Sequence, residues 1–170
     1  MRKELEAIIR EAARDELMPR FQQTAHSLKS DGSIVTEADL AMQQRMIEVL
    51  QQRWPQIPLL GEEMSAEQHQ RLLDESDNGL WLLDPLDGTS NYAAGIPYFC
   101  VSLALMRKGE VELAIIYDPL RDESFSAEKG RGAWLNDQPL IAPKASRPLE
   151  QGIALIDLKR LSPELAARVA

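Results

Sequence analysis

Leu5, Ile8, Ile9, Ala12, Ala13 and Leu17 recur at helical spacing, which predicts an amphipathic helix over residues 2 to 18, ended by Pro19. Thr24 to Ser33 is polar, carries Gly32 and has no periodicity, so it reads as a loop. Thr36 suits the N-cap of a second helix running to about Arg53, with Leu40, Ile47, Leu50 and Trp54 along one stripe. Pro55 and Pro58 bracket its end, and Leu59-Leu60 is a short apolar step before Gly61-Glu62-Glu63. Ala66 to Leu73 reads as a small exposed helix.

Beyond these the pattern turns to strands. Trp81-Leu82-Leu83 is an apolar run that ends abruptly at Asp84. Phe99 to Met106 and Val111 to Tyr117 flank Arg107-Lys108-Gly109-Glu110, a hairpin signal. Ser124 to Ala127, Trp134-Leu135, Leu140-Ile141 and Gly152 to Ile156 continue the β character, with Asn136-Asp137 at a turn. The predicted fold is α+β: N-terminal helices packed on an antiparallel sheet. Residues 1–170 read as a single domain, with no internal repeat or low-complexity tract.

Charge narrows the function. Acidic residues outnumber basic ones by 27 to 19, a net charge of -8, which disfavours an electrostatic grip on nucleic acid or on an anionic membrane. No apolar run is long enough to cross a bilayer. The single cysteine, Cys100, rules out an internal disulfide framework and fits a cytoplasmic location; its apolar surroundings predict a buried small hydrophobe. His26 and His69 lack metal-ligand spacing and read as surface residues. Ser162-Pro163-Glu164 opens a helix that only Leu165 to Ala170 continue, so the chain is expected to be a fragment that stops within an element.

The chemistry concentrates in Asp84-Pro85-Leu86-Asp87-Gly88-Thr89-Ser90-Asn91. Two carboxylates in one tight turn repel each other unless a cation lies between them, and hard divalent ions take such oxygen donors. Gly88 permits close backbone approach, and the following N–H groups suit an anion. An Asx-turn with an N-cap explains the same residues without a ligand. The haloacid dehalogenase signature is excluded, because it needs carboxylates at i and i+2 and the residue two before Asp87 is Pro85. Asp39, three residues after Thr36, is either a capping-box partner or a catalytic acid.

These residues resemble the inositol monophosphatase family, whose Asp-Pro-Ile/Leu-Asp-Gly-Thr-x-Asn signature is matched at every defined position from Asp84 to Asn91. Ile34 to Asp39, Gly61 to Ser65, Gly95 to Ser102 and Lys129 to Ala133 are also similar to family segments. The resemblance covers essentially the whole chain, and the first two thirds or so of a typical member. It implies the first part of an αβαβα layered sandwich and a Mg²⁺-dependent, lithium-sensitive phosphatase that forms homodimers. It further implies Glu62, Asp84, Asp87 and the Leu86 carbonyl as metal ligands. Asp39, Glu62 and Thr89 would activate water, and Asp87, Gly88 and Thr89 would bind substrate, the two N–H groups of Gly88 and Thr89 holding phosphate oxygens. Asn91 would tie down the turn, and Lys29 would be either a loop residue closing over the site or a solvated lysine.

One family element is missing: no Trp follows Trp134, so the further metal-binding aspartate of a Trp-Asp motif has no counterpart. The expected substrate is inositol monophosphate or a similar small polyol phosphate. The alternatives are a 3′(2′),5′-bisphosphate nucleotidase, a fructose-1,6-bisphosphatase, or a non-catalytic interaction protein that keeps the fold. Apolar sheet surface is expected to remain uncovered, favouring self-association.

Overall fold

The N-terminal periodicity holds: Leu5, Ile9, Ala12 and Ala13 are buried along helix α1, Arg2–Glu16. The helix stops slightly short of the predicted end and passes into a 3₁₀ turn, Met18–Arg20, because Pro19 has no N–H to continue the ladder. In the computed structural model, residues 1–23, 26–28, 34–74, 76–141, 148, 151–152 and 161–169 are described. They fall in two compact units, Met1–Leu140 and Ile141–Ala170.

Helix α2 spans Glu37–Arg53 with Thr36 as its N-cap, as predicted. Of the expected stripe, Leu50 is buried and Ile47 and Trp54 pack partly buried against the core, but Leu40 does not. Ala38, Met42, Met46 and Leu50 point inward, whereas Leu40 is 53% exposed. The step of four from Ala38 sets this face, and Leu40 falls about 200° from Ala38 around the helix. Two polar residues, Asp39 and Gln43, are buried on that face.

The segment read as a loop between Thr24 and Ser33 contains a short strand. His26–Leu28 (β1) pairs antiparallel with Ile34–Thr36 (β2). Such a three-residue polar strand has too few alternations to register as a period. Lys29 lies outside the described residues.

Seven further strands form one sheet in sequence order: Leu59–Gly61 (β3), Leu80–Asp87 (β4), Cys100–Arg107 (β5), Glu110–Asp118 (β6), Glu123–Glu128 (β7), Gly132–Leu135 (β8) and Gln138–Leu140 (β9). The sheet is mixed rather than wholly antiparallel, because β3 and β4 run parallel. Between them lies helix α3, Ala66–Asp74, a crossover of the kind that parallel pairing requires. The hairpin between β5 and β6 turns through Lys108 and Gly109, both at positive φ (51° and 75°), which matches the right-handed twist of its strands.

Period-two alternation sends Val101, Leu103 and Leu105 of β5, and Leu113, Ile115 and Tyr117 of β6, toward the helices. Each fully buried side chain of this size contributes about 2 kcal/mol. The opposite face is less covered: Ile116, Phe125 and Leu140 are exposed. A polar tie also joins helix to sheet. Buried Glu6 accepts from Arg2 at 2.7 Å and from Ser126 Oγ at 2.6 Å, while Arg2 stacks 4.3 Å from the Trp134 ring centroid.

In the second unit, Ser162 Oγ accepts the Leu165 N–H at the start of a helix over Pro163–Val169, none of whose residues is buried. The strand expected over Gly152 to Ile156 lies mainly outside the described residues. No helix among the described residues is long and apolar enough to cross a membrane.

Candidate active site

The predicted buried strand does not end before its carboxylates; β4 runs through both of them to Asp87. Opposite β5, Asp84 pairs with Ser102 and Asp87 with Cys100, so β4 carries one extra residue between its acids. That bulge breaks the strict two-residue alternation. Pro85 is tolerated at the irregularity, where a ladder N–H is dispensable. The Asp84 carboxylate accepts the Leu86 N–H at 3.1 Å, an Asx-type contact of the kind ordinary turn chemistry predicts.

Gly88 then turns the chain into helix α4, Thr89–Ala93. Its φ is +93°, and a Cβ there would lie 3.0 Å from the Tyr98 carbonyl oxygen and 3.2 Å from Phe99 Cα. Both conformation and space therefore demand glycine. Asn91 Nδ2 donates to the same Tyr98 oxygen at 2.8 Å, fixing the return of the chain. The Tyr92 hydroxyl donates to the Leu17 carbonyl at 2.6 Å, and Tyr92 packs edge-on against Phe99, with centroids 4.9 Å apart. These contacts anchor α4 to the end of α1.

Asp39 completes the expected cap and also reaches Thr89. Oδ2 accepts the Thr36 N–H at 2.8 Å and the Thr36 hydroxyl at 2.6 Å, completing a capping box. Oδ1 lies 3.0 Å from Thr89 Oγ1, which is also 2.9 Å from the Leu86 carbonyl oxygen. The single Thr89 proton is shared between these acceptors, so its hydroxyl is held by α2 on one side and β4 on the other.

Glu62 reaches the site from the end of β3. Its N–H donates to the Leu83 carbonyl at 3.1 Å, which continues the parallel pairing by one step. The side chain is exposed and faces Asp84. Burial, the Glu62 charge with its hydrogen bond, and the Asp87 charge push the Asp84 carboxyl up to about 7, against a lowering pull from the Leu86 amide.

Cys100 is half-buried rather than a core residue, with Sγ 3.8 Å from Asp87 Oδ2. Strand alternation turns it to the face opposite the helices. Burial and then the Asp87 and Asp84 charges push its thiol up to about 12, so it stays neutral and is not a nucleophile. A cavity of about 310 Å³ opens beside Asp87 and Gly88, walled by Asn91, Tyr98, Phe99, Cys100, Ile116, Asp118 and Phe125.

Sequence reasoning missed two residues. Gln43 Oε1 accepts the Glu63 N–H at 3.1 Å. His69 is a bound residue rather than a free surface one: its Nε2 lies 2.9 Å from the Gly61 carbonyl oxygen, which requires the proton on that nitrogen. A buried glutamine amid apolar positions on α2 was the available signal for the first. Nothing in the spacing of His69 pointed to the second.

No three His, Cys, Asp or Glu side chains among the described residues already converge as a metal-holding group. The donor chemistry nevertheless fits a hard divalent cation: carboxylates of Glu62, Asp84 and Asp87, and the Leu86 carbonyl, with Asp84 under repulsion that a cation would offset.

A mixed α+β fold with an acidic strand end leading into a glycine-turned helix is the architecture of a known class. The model of the inositol monophosphatase family matches residues 1–166, and the chain belongs to that family. Nus factor SuhB of Pasteurella multocida is 40% identical over 115 residues, 67% of this chain and 41% of that protein. Inositol-1-monophosphatase of Rhizobium meliloti is 39% identical over 114 residues, again 67% and 41% of the two chains. A solved IMPase/NADP phosphatase, complexed with Mg²⁺ and phosphate, is 26% identical with a TM-score of 0.70, covering 85% of this chain and 55% of that one. The chain thus spans about 41% of the length of the curated relatives it matches.

Proposed function

We propose that this chain is part of a Mg²⁺-dependent phosphomonoesterase acting on inositol monophosphate or a similar small polyol phosphate. The observation that carries this is the placement of Asp84 between the charges of Glu62 and Asp87 at one sheet end, its carboxyl pushed up to about 7 by burial and then by those neighbours, beside the Asp39–Thr89 contact. Glu62, Asp84, Asp87 and the Leu86 carbonyl would hold the metal. When bound, Mg²⁺ lowers the pKa of water and offsets charge on the phosphoryl oxygens.

The remaining work falls to the chain itself. Asp39, buried and fixed by Thr36, orients the Thr89 hydroxyl so that Thr89 and Glu62 can position a water and accept its proton. The N–H groups of Gly88 and Thr89 would hold phosphate oxygens at the glycine turn. The cavity beside Asp87 has room for a small alcohol portion. A cytoplasmic homodimer is part of this reading. A nucleotidase or fructose bisphosphatase specificity within the same superfamily would use the same acids.

A second reading has its own support: the relative in Pasteurella multocida is a Nus factor, so a partner-binding role for the fold is the alternative. One assay separates them. Phosphate release from inositol 1-phosphate by the full-length protein should require MgCl₂ and vanish in Asp87→Asn. Equal turnover without divalent ions, or no turnover under any metal condition, removes the enzyme reading as stated.

A further inference from the structure

Three residues, Gly61 to Glu63, are held by three separate elements. Glu62 N–H donates to Leu83 of β4, Glu63 N–H donates to Gln43 of α2, and the Gly61 carbonyl accepts from His69 of α3. The tightest of these contacts is steric as well as polar. A Cβ on Gly61 would lie 2.1 Å from Gln43 Oε1 and 2.6 Å from its Cδ, so a side chain there would displace the Gln43 amide from the turn.

Gln43 also stands one helical turn after Asp39, on the same buried face of α2. The two are the polar members of a face otherwise built from Ala38, Met42, Met46 and Leu50. Burying an amide among apolar neighbours is costly unless its bonds are made. Each of these polar residues reaches a different half of the site. Asp39 holds Thr89 after β4, and Gln43 holds the segment that carries Glu62 after β3.

We infer that Gln43 is a positioning residue: it sets the register of Glu62 against Asp84, so that α2 aligns both sides of the metal site from one face. This rests on the metal-site reading above. Outer partners that orient ligands typically contribute about tenfold or more to metal affinity.

The test is calorimetric titration of the whole chain with MgCl₂ in the presence of inorganic phosphate, paired with thermal unfolding in EDTA. Gln43→Leu removes the acceptor, and Gly61→Ala displaces the same amide from the loop side. Each should weaken Mg²⁺ binding roughly tenfold. The double variant should be no weaker than either alone, because both break one contact. Gln43→Glu, which keeps the acceptor, should retain most of the affinity. Should Gln43→Leu fail to fold, Gly61→Ala carries the same comparison. Full Mg²⁺ affinity in the variants, with only a lowered unfolding midpoint, or fully additive losses, would overturn the positioning role while leaving the metal site standing. Absence of Mg²⁺ uptake by the parent chain would overturn both.

Discussion

Asp84→Asn should stabilise the metal-free protein above neutral pH while abolishing its response to magnesium. The parent carboxyl is moved from 3.8 to about 7, first by burial and then by the Glu62 charge. At about 1.4 kcal/mol per pH unit, that displacement amounts to about 4 kcal/mol of disfavoured ionisation. Asp84 is only half-buried, so solvent screening reduces it to roughly 2 kcal/mol. The sign follows from which state holds the proton. With the folded value above the unfolded one, the native protein keeps a proton that the unfolded chain has already released between about pH 4 and 7. The penalty is therefore small below about pH 4, grows across that window, and is complete above about pH 7.

Asparagine fits the same space, still accepts the Leu86 N–H through Oδ1, and carries no charge against Glu62 or Asp87. In EDTA, the unfolding midpoint of Asp84→Asn should exceed that of the parent by about 4–8 °C at pH 8, using about 2–4 °C per kcal/mol for a chain of this size. The gain should shrink toward zero near pH 4. Addition of MgCl₂ with phosphate should raise the parent and leave the variant unmoved. A midpoint difference that is flat with pH, or a variant less stable than the parent at pH 8, refutes the claim that burial and the neighbouring acids disfavour the ionised form of Asp84.

Thr89→Val keeps the size of the side chain and removes the hydroxyl that bridges Asp39 and Leu86. Phosphate release from inositol 1-phosphate by the full-length protein should fall at least about a hundredfold, and turnover within a few-fold of the parent would clear Thr89 of any part in proton transfer. Gly88→Ala meets both a φ of +93° and the Tyr98 carbonyl at 3.0 Å, so it should cost about 1–3 kcal/mol. Urea midpoints with unchanged slope would measure that loss, and an unshifted midpoint would show that the turn relaxes freely.

Long, strongly periodic elements were legible in the chain itself. Helix α1, the β5–β6 hairpin and the acidic signature each rest on local spacing, and each lies close to where that spacing puts it. Helix α2 lies where its cap and periodicity put it, and of the expected stripe Ile47, Leu50 and Trp54 pack on the core while Leu40 does not. Hydrophobicity alone puts Leu40 in the core, whereas the face is chosen by tertiary packing of Met42, Met46 and Leu50. Strand β1 has no periodic signal because only three residues pair with Ile34–Thr36. The parallel β3–β4 pair was hidden for a different reason: its partners are joined through a helix, and local pattern is silent about which edge a returning strand takes.

The candidate site divides along the same line. Asp84, Asp87, Gly88 and Thr89 are consecutive or nearly so, and one strand–turn–helix displays them whatever the rest of the fold does. Asp39 and Glu62 arrive from other elements, and the residues alone offered capping and solvated-loop explanations for them. The fold gives the two oxygens of Asp39 different partners, Thr36 and Thr89. It adds Gln43, a residue that no motif flags, because its bond to Glu63 spans twenty positions. A buried polar side chain costs free energy unless it is satisfied, so two of them on one helix face require two partners nearby. Here those partners are the start of α4 at Thr89 and the segment after β3 that carries Glu62. The polar interruption of an apolar stripe is thus where helix packing and site assembly become the same constraint.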